Sequence, residues 1–211
     1  MRRISATDEA RAIAECSRSI RSGGIIAFPT ETFYGLGAFY TNFAALEKLI
    51  ALKRRPKDKA LPLIVGQRNV LPLIASPVSF IEEILIEKFW PGPLTLLLAA
   101  KKDLSELITA GSGKIAVRIP GRSFALDLAR SLEFPITATS ANISGMPPAE
   151  SPEEVISYFG DEIDIVVDSG KTPGGKPSTI VGVTGTVVEI LRKGAIPDEE
   201  IFAATRSYQR R

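Results

Sequence analysis

Histidine is absent from all 211 residues, and cysteine occurs once, at Cys16. The first absence excludes Ser-His-Asp and Cys-His catalysis, histidine general bases and His-ligated zinc. The second excludes a disulfide within the chain, and Cys16 falls in a helical pattern that reads as packing rather than nucleophilic chemistry. Excess charge is also scarce: 26 Lys and Arg face 24 Asp and Glu, a formal net charge of +2. No global field calls for a polyanionic partner, so any nucleotide or RNA surface must come from local clustering. No apolar run is long enough to cross a bilayer. The first residues, MRRISATDEARAIAECSR, carry acids where a signal peptide has an apolar core. The expectation is a cytoplasmic protein with no membrane partner.

What is present suits one globular unit spanning 1–211. Hydrophobic residues make up 45% of the chain, enough for a full core. Thr7, Asp8 and Glu9 start a helix on which Ala10, Ile13, Ala14 and Ile20 recur at helical spacing. Gly23 and Gly24 stop it and release an apolar strand over 25–28. That strand breaks at Pro29 into Thr30, Glu31, Thr32 and Tyr34, closed by Gly35 and Gly37. A strand end running into small hydroxyls and glycines is a common way to line a ligand site in an α/β sheet.

Further along, the pattern predicts helices over 42–53, 70–75, 78–89, 123–132 and 152–158, with a short one after Pro197 and a basic tail beyond it. It predicts strands over 61–65, 94–100, 114–119, 136–138, 163–167, 179–183 and 186–191. Strands alternate with helices and then crowd together late. The fold class is therefore α/β, a single domain with a twisted, mixed parallel and antiparallel sheet flanked by helices.

Several stretches bear chemistry. Residues 170–176, GKTPGGK, have the spacing of a phosphate-binding P-loop, but Pro177 replaces the required Ser or Thr and a strand rather than a helix follows. The run Lys53-Arg54-Arg55-Pro56-Lys57-Asp58-Lys59 puts five cations and one acid at a helix end and a sheet edge. It reads as a solvated helix terminus or as a polyphosphate grip, since arginine forks onto two oxygens and lysine supplies a point charge. Thr139-Ser140-Ala141-Asn142 lies past a strand end, where hydroxyls and an amide form a turn or hold a small ligand. Arg118 and Arg192 each end a strand, well placed for a carboxylate or phosphate. No nucleophile or acid–base pair stands out, which fits a reaction run by positioning and charge stabilisation.

Six motifs in order, Pro29-Thr-Glu-Thr-Phe-Tyr-Gly-Leu-Gly, Lys53-Arg-Arg-Pro, Trp90-Pro-Gly-Pro-Leu-Thr, Ala116-Val-Arg-Ile-Pro, Ser140-Ala-Asn and Pro177-Ser-Thr-Ile, resemble the YrdC-like threonylcarbamoyl-AMP synthases. The resemblance covers about 7–196, leaves 197–211 as a tail, and is to the short single-domain bacterial type. It implies a YrdC-like fold and a nucleotidyltransferase that converts L-threonine, bicarbonate or CO₂, and ATP (with Mg²⁺) into threonylcarbamoyl-AMP and pyrophosphate. Other proteins then transfer the threonylcarbamoyl group to tRNA. By the same resemblance Thr32, Tyr34, Arg118, Ala138 and Ser178 form the threonine pocket. Lys53, Arg55, Ser140 and Asn142 grip ATP as the catalytic group, with Leu61, Thr109, Pro148 and Arg192 as further nucleotide contacts and no protein-held metal. Many relatives carry a histidine after the Pro-Leu-Ile-Val strand, where this chain has Gly66. The alternative is an RNA-binding or ribosome-maturation protein of the same fold with weak RNA contact, against which the small net charge argues. A third reading, a carbamoyl-transfer domain like those of larger hydrogenase-maturation proteins, is not expected, since this chain has neither the cysteines nor the length for their accompanying zinc-binding and acylphosphatase-like segments.

Overall fold

The computed structural model describes residues 1–56 and 58–206. Strand β1 (Arg2–Ser5) leads into helix α1 (Glu9–Arg21), whose start is set by Asp8: its carboxylate accepts the Arg11 N–H at 3.2 Å. Ala12, Cys16 and Ile20, four residues apart, bury one stripe of α1. Gly23, at φ +85°, turns the chain out of the helix and into β2 (Ile26–Pro29). The chain then reverses directly into β3 (Tyr34–Gly37), followed by α2 (Phe43–Leu52) and the two-residue β4 (Leu63–Ile64).

The expected helix over 70–75 is a 3₁₀ segment, Arg68–Leu73, because Pro72 lacks the N–H that an α-helix there needs. Helix α3 (Phe80–Phe89) begins with a full capping box between Ser79 and Glu82. Strand β5 (Leu94–Ala99), the short α4 (Glu106–Thr109), β6 (Lys114–Arg118) and α5 (Phe124–Leu132) follow. Next come β7 (Ile136–Thr137), β8 (Thr139–Ser140), α6 (Pro152–Phe159) and β9 (Ile165–Asp168). The chain closes with β10 (Thr179–Thr184), β11 (Val187–Arg192) and α7 (Asp198–Thr205). Of the tail expected over 197–211, residues 207–211 lie outside the described residues.

Pairing is mixed, as the sequence predicts, and the strands are shared between two sheets. One runs β1-β9-β2-β3-β8, the other β11-β10-β5-β6-β4-β7. In the first, β9 is parallel to both β1 and β2, while β3 runs antiparallel between β2 and β8. In the second, β10 is parallel to β5 and β6 to β4, the other pairs being antiparallel. Side chains of both sheets, among them Ala27, Leu36, Leu63, Leu96 and Val117, merge in one core with Leu46 and Leu49 of α2. Each leucine or valine among them contributes about 1.5–3 kcal/mol on leaving water. A smaller cluster seals α1 and α5 against β2 through Cys16, Ile20, Ile26, Phe28, Leu128 and Leu132. Within it burial pushes the Cys16 thiol up to about 12, so the cysteine packs and stays protonated. No described helix is long and apolar enough to cross a membrane.

Candidate active site

The two sheets bring their strand ends to a common hollow of about 330 Å³, within the range of small-molecule sites. From the first sheet come the β2–β3 turn and the end of β8. Thr30 braces that turn: its Oγ1 accepts the N–H groups of Thr32 at 3.1 Å and Phe33 at 3.3 Å, and donates to the Phe33 carbonyl at 2.7 Å. This leaves Thr32 at the cavity wall. Tyr34 is fully buried and donates its hydroxyl to the Gly170 carbonyl at 2.8 Å, with burial raising its pKa. That bond, with one from the Gly174 N–H to the Thr32 carbonyl at 2.8 Å, straps the 169–178 loop over the turn.

From the second sheet come Thr95, Arg118, Ser178 and Arg192. Arg192 donates through Nε and Nη2 to the Ser178 carbonyl at 3.1 and 2.8 Å, and through Nη2 to Ser178 Oγ at 2.9 Å. Ser178 Oγ lies 2.8 Å from Thr95 Oγ1, so one chain of hydrogen bonds crosses β11, β10 and β5. Burial, and secondarily Arg118, lower the Arg192 pKa. A third guanidinium, Arg55, arrives from the loop after α2; it donates to the carbonyls of Lys59 at 3.0 Å and Ala60 at 2.5 Å, and burial lowers its pKa too. Arginine keeps its charge despite such shifts, so three fixed cations face one cavity.

Of the residues singled out from sequence, Thr32, Tyr34, Arg55, Arg118 and Ala138 line the hollow, as do Ser140, Pro148, Ser178 and Arg192. Four do not. Leu61 is wholly buried in the core, and Thr109 ends α4 with its carbonyl accepting the Ser112 hydroxyl at 2.6 Å. Asn142 and Lys53 stand behind the wall. Lys53 is only 1% exposed, and its ammonium donates to the Ser140 carbonyl, the Asn142 carbonyl at 2.7 Å and Asn142 Oδ1 at 3.3 Å. Asn142 Oδ1 also accepts the Ser140 hydroxyl at 2.6 Å. Its amide donates to the carbonyls of Ile143 at 3.0 Å and Met146 at 2.6 Å. Instead of pointing at the ligand, Lys53 pins the segment that presents Ser140. Burial, then the neighbouring Arg55, pull its pKa down to about 7, while three carbonyl acceptors work in the opposite sense.

The sequence placed Thr30 and Glu31 in a polar strand end suited to a ligand site but gave them no role, and it passed over Thr95; Thr30 and Thr95 line the cavity, and the Glu31 carboxylate is ion-paired with Arg118. Thr30 and Glu31 lie inside the Pro-Thr-Glu-Thr motif, and that was the available signal. A larger hollow of about 700 Å³ between α2 and α4, lined by Ile50, Ala51 and Leu107, gathers none of the candidate residues. Among the described residues no group of three or more His, Cys, Asp or Glu side chains is arranged to hold a metal.

The Sua5/YciO/YrdC family model, described as telomere recombination, matches residues 18–194. The chain belongs to the Sua5/YciO/YrdC family. Relatives include the threonylcarbamoyl-AMP synthase of Pyrococcus abyssi, 40% identical over 86% of this chain and 54% of its own. That of Idiomarina loihiensis is 37% identical over 79% of this chain and 91% of its own. The crystal structure of P. abyssi Sua5 complexed with L-threonine superposes at TM-score 0.89, with 37% identity over 96% of this chain and 59% of that one. Escherichia coli YciO shares the fold at TM-score 0.81, with 24% identity over 95% of this chain and 97% of that one. The chain spans about half the length of the P. abyssi and Bacillus subtilis synthases, 54% and 56% respectively.

Proposed function

We propose that this member of the family is an L-threonylcarbamoyladenylate synthase, a nucleotidyltransferase acting on L-threonine, bicarbonate or CO₂, and ATP. The observation that carries the reading is the convergence of Arg55, Arg118 and Arg192 with Thr32, Ser140 and Ser178 on one cavity. The relatives' activity and the threonine complex of P. abyssi Sua5 support the choice of ligands.

In this reading Arg118 takes the threonine carboxylate, for which a guanidinium offers paired donors. Thr32 and Ser178 offer hydroxyls to the polar groups of the amino acid, and Ala138 leaves room for its methyl. The neutral amine adds to CO₂ and loses a proton, forming a C–N bond and a carbamate. A carbamate oxygen then attacks the α-phosphorus of ATP, and the bond to the β-phosphate oxygen breaks to release pyrophosphate. Both steps build negative charge, which Arg55 and Arg192 meet without reorganising because their own hydrogen bonds already fix them. Neither step needs a protein nucleophile, in keeping with a chain without histidine. The hollow also shields the carbamate, which reverts readily in water.

The described residues do not fit a protein-held Mg²⁺, since the cavity is lined by hydroxyls and cations rather than carboxylates. Any magnesium is proposed to enter on the nucleotide phosphates. The product would be handed in the cytoplasm to proteins that modify tRNA. Pyrophosphate release by purified protein, with threonine and bicarbonate omitted in turn, tests the reading. Release is expected only with both present; release indifferent to threonine would refute it.

A further inference from the structure

Among the described residues, Glu31 is the acidic side chain ion-paired with a cation of the cavity wall, Arg118. It sits on the β2–β3 turn between Thr30 and Thr32 and crosses to the other sheet, where Oε1 accepts from Arg118 Nη1. The pair is largely shielded, with 11% of the Arg118 side chain and 17% of the Glu31 side chain exposed. The second oxygen, Oε2, is buried with no hydrogen-bond partner among the described residues. A buried carboxylate oxygen without a donor is costly, so its retention calls for a reason.

The charge pattern supplies one. A ligand carboxylate that joins Arg118 must share that guanidinium with the Glu31 carboxylate, and two anions so close repel. An α-ammonium group, carried two bonds from the same carboxylate, offsets that repulsion and offers donors to an acceptor that now lacks any. A hydroxy or keto acid of equal shape brings no such charge. Resting on the amino-acid site proposed above, we infer that Glu31 determines specificity by selecting an α-amino acid over the corresponding hydroxy acid. The ammonium first gives up a proton to water; the neutral amine then forms its C–N bond to CO₂ and loses a second proton to water, and the resulting carbamate is repelled by Glu31, away from Arg118 and toward the nucleotide.

Calorimetric titration without ATP tests this, using L-threonine and its 2,3-dihydroxybutyrate analogue, in which a hydroxyl replaces the amine. The wild-type chain is expected to favour threonine at least tenfold. Glu31→Gln, nearly isosteric, is expected to weaken threonine binding tenfold or more while leaving the dihydroxy acid unchanged or tighter, so that discrimination collapses. Glu31→Asp, which keeps the charge, should retain the preference for threonine; an unchanged far-ultraviolet circular dichroism spectrum shows that either variant is folded. Equal weakening of both acids by Glu31→Gln would mean that Glu31 only aligns Arg118, and would overturn the inference. So would discrimination that survives the substitution, and in that case threonine binding by the wild type would leave the synthase reading intact. A wild-type chain that binds no amino acid would end both.

Discussion

Replacing Lys53 by methionine keeps the apolar stem of the side chain and deletes the ammonium. Three acceptors lose a donor: the carbonyls of Ser140 and Asn142, and Asn142 Oδ1. Below pH 7, where Lys53 is charged, hydrogen bonds from such a donor contribute about 1.5–3 kcal/mol each, some 5–9 kcal/mol gross. Holding a cation out of water offsets several of these, as the fall of the pKa to about 7 records. The net destabilisation is about 2–4 kcal/mol, a fall in Tm of roughly 5–15 °C for a chain of this size. Because the same ammonium fixes the Ser140–Asn142 segment, Ser140 shifts on the cavity wall. A displacement of about 1 Å there costs turnover on the order of 100-fold. Thermal unfolding and steady-state pyrophosphate release measure the two effects on one preparation. In a double-mutant cycle Lys53→Met and Asn142→Ala should be strongly non-additive, since they share one network. A Lys53→Met protein with wild-type Tm and a raised KM for ATP alone would refute the reasoning, because it would put Lys53 on the nucleotide and not behind the wall.

Arg118→Gln removes the guanidinium and strands Glu31, so the KM for threonine should rise about 30-fold or more while ATP binding, followed separately, changes little. Gly66→Ala should cost about 1–3 kcal/mol in urea unfolding: its Cβ would fall 2.3 Å from the Arg130 nitrogen and 2.5 Å from the Ala129 carbonyl carbon, backbone atoms that cannot swing aside. A side chain as large as histidine therefore has no place there. Lys53 also gives stability a pH dependence. Its folded value of about 7 lies below the ordinary 10.5, so between these the unfolded chain binds more protons and stability rises with pH. Below pH 7 the burial penalty is fully present. Urea midpoints of wild type and Lys53→Met should diverge from pH 7 to 9, and parallel curves would contradict the assignment.

The strands with dense apolar side chains were legible in the sequence. Residues 25–28, an apolar run between Gly24 and Pro29, and 94–100, a mostly apolar run after Pro93, announce themselves, and both are strands within a residue or two. Strand β3 was not legible, because Tyr-Gly-Leu-Gly has two glycines and no β-branched residue; tertiary pairing with β2 and β8 makes it a strand. Alternation of elements also says nothing of which strands share hydrogen bonds, so the division into two sheets emerged only in three dimensions. Much of the site could be read because its residues stand at strand ends. Lys53 misled because a cation in a basic run suggests solvent or phosphate. Its place at the C-cap of α2 aims it inward, while Arg54, at φ +47°, turns the chain sharply. Glu31 stood out only as part of a polar strand end, and its partner was hidden because the pairing with Arg118 spans 87 residues of sequence.

The claim on which the rest depends is that fixed cations around one hollow join a carbamate to an adenylate without a protein nucleophile. Its most direct measurement is a reaction of purified chain with ATP, L-threonine and isotopically labelled bicarbonate, with the nucleotide product read by mass spectrometry. The account predicts a labelled threonyl-carbamoyl adenylate formed in step with pyrophosphate, and no adduct on the protein. Pyrophosphate without label in any nucleotide, or a covalent adduct on the chain, would contradict it.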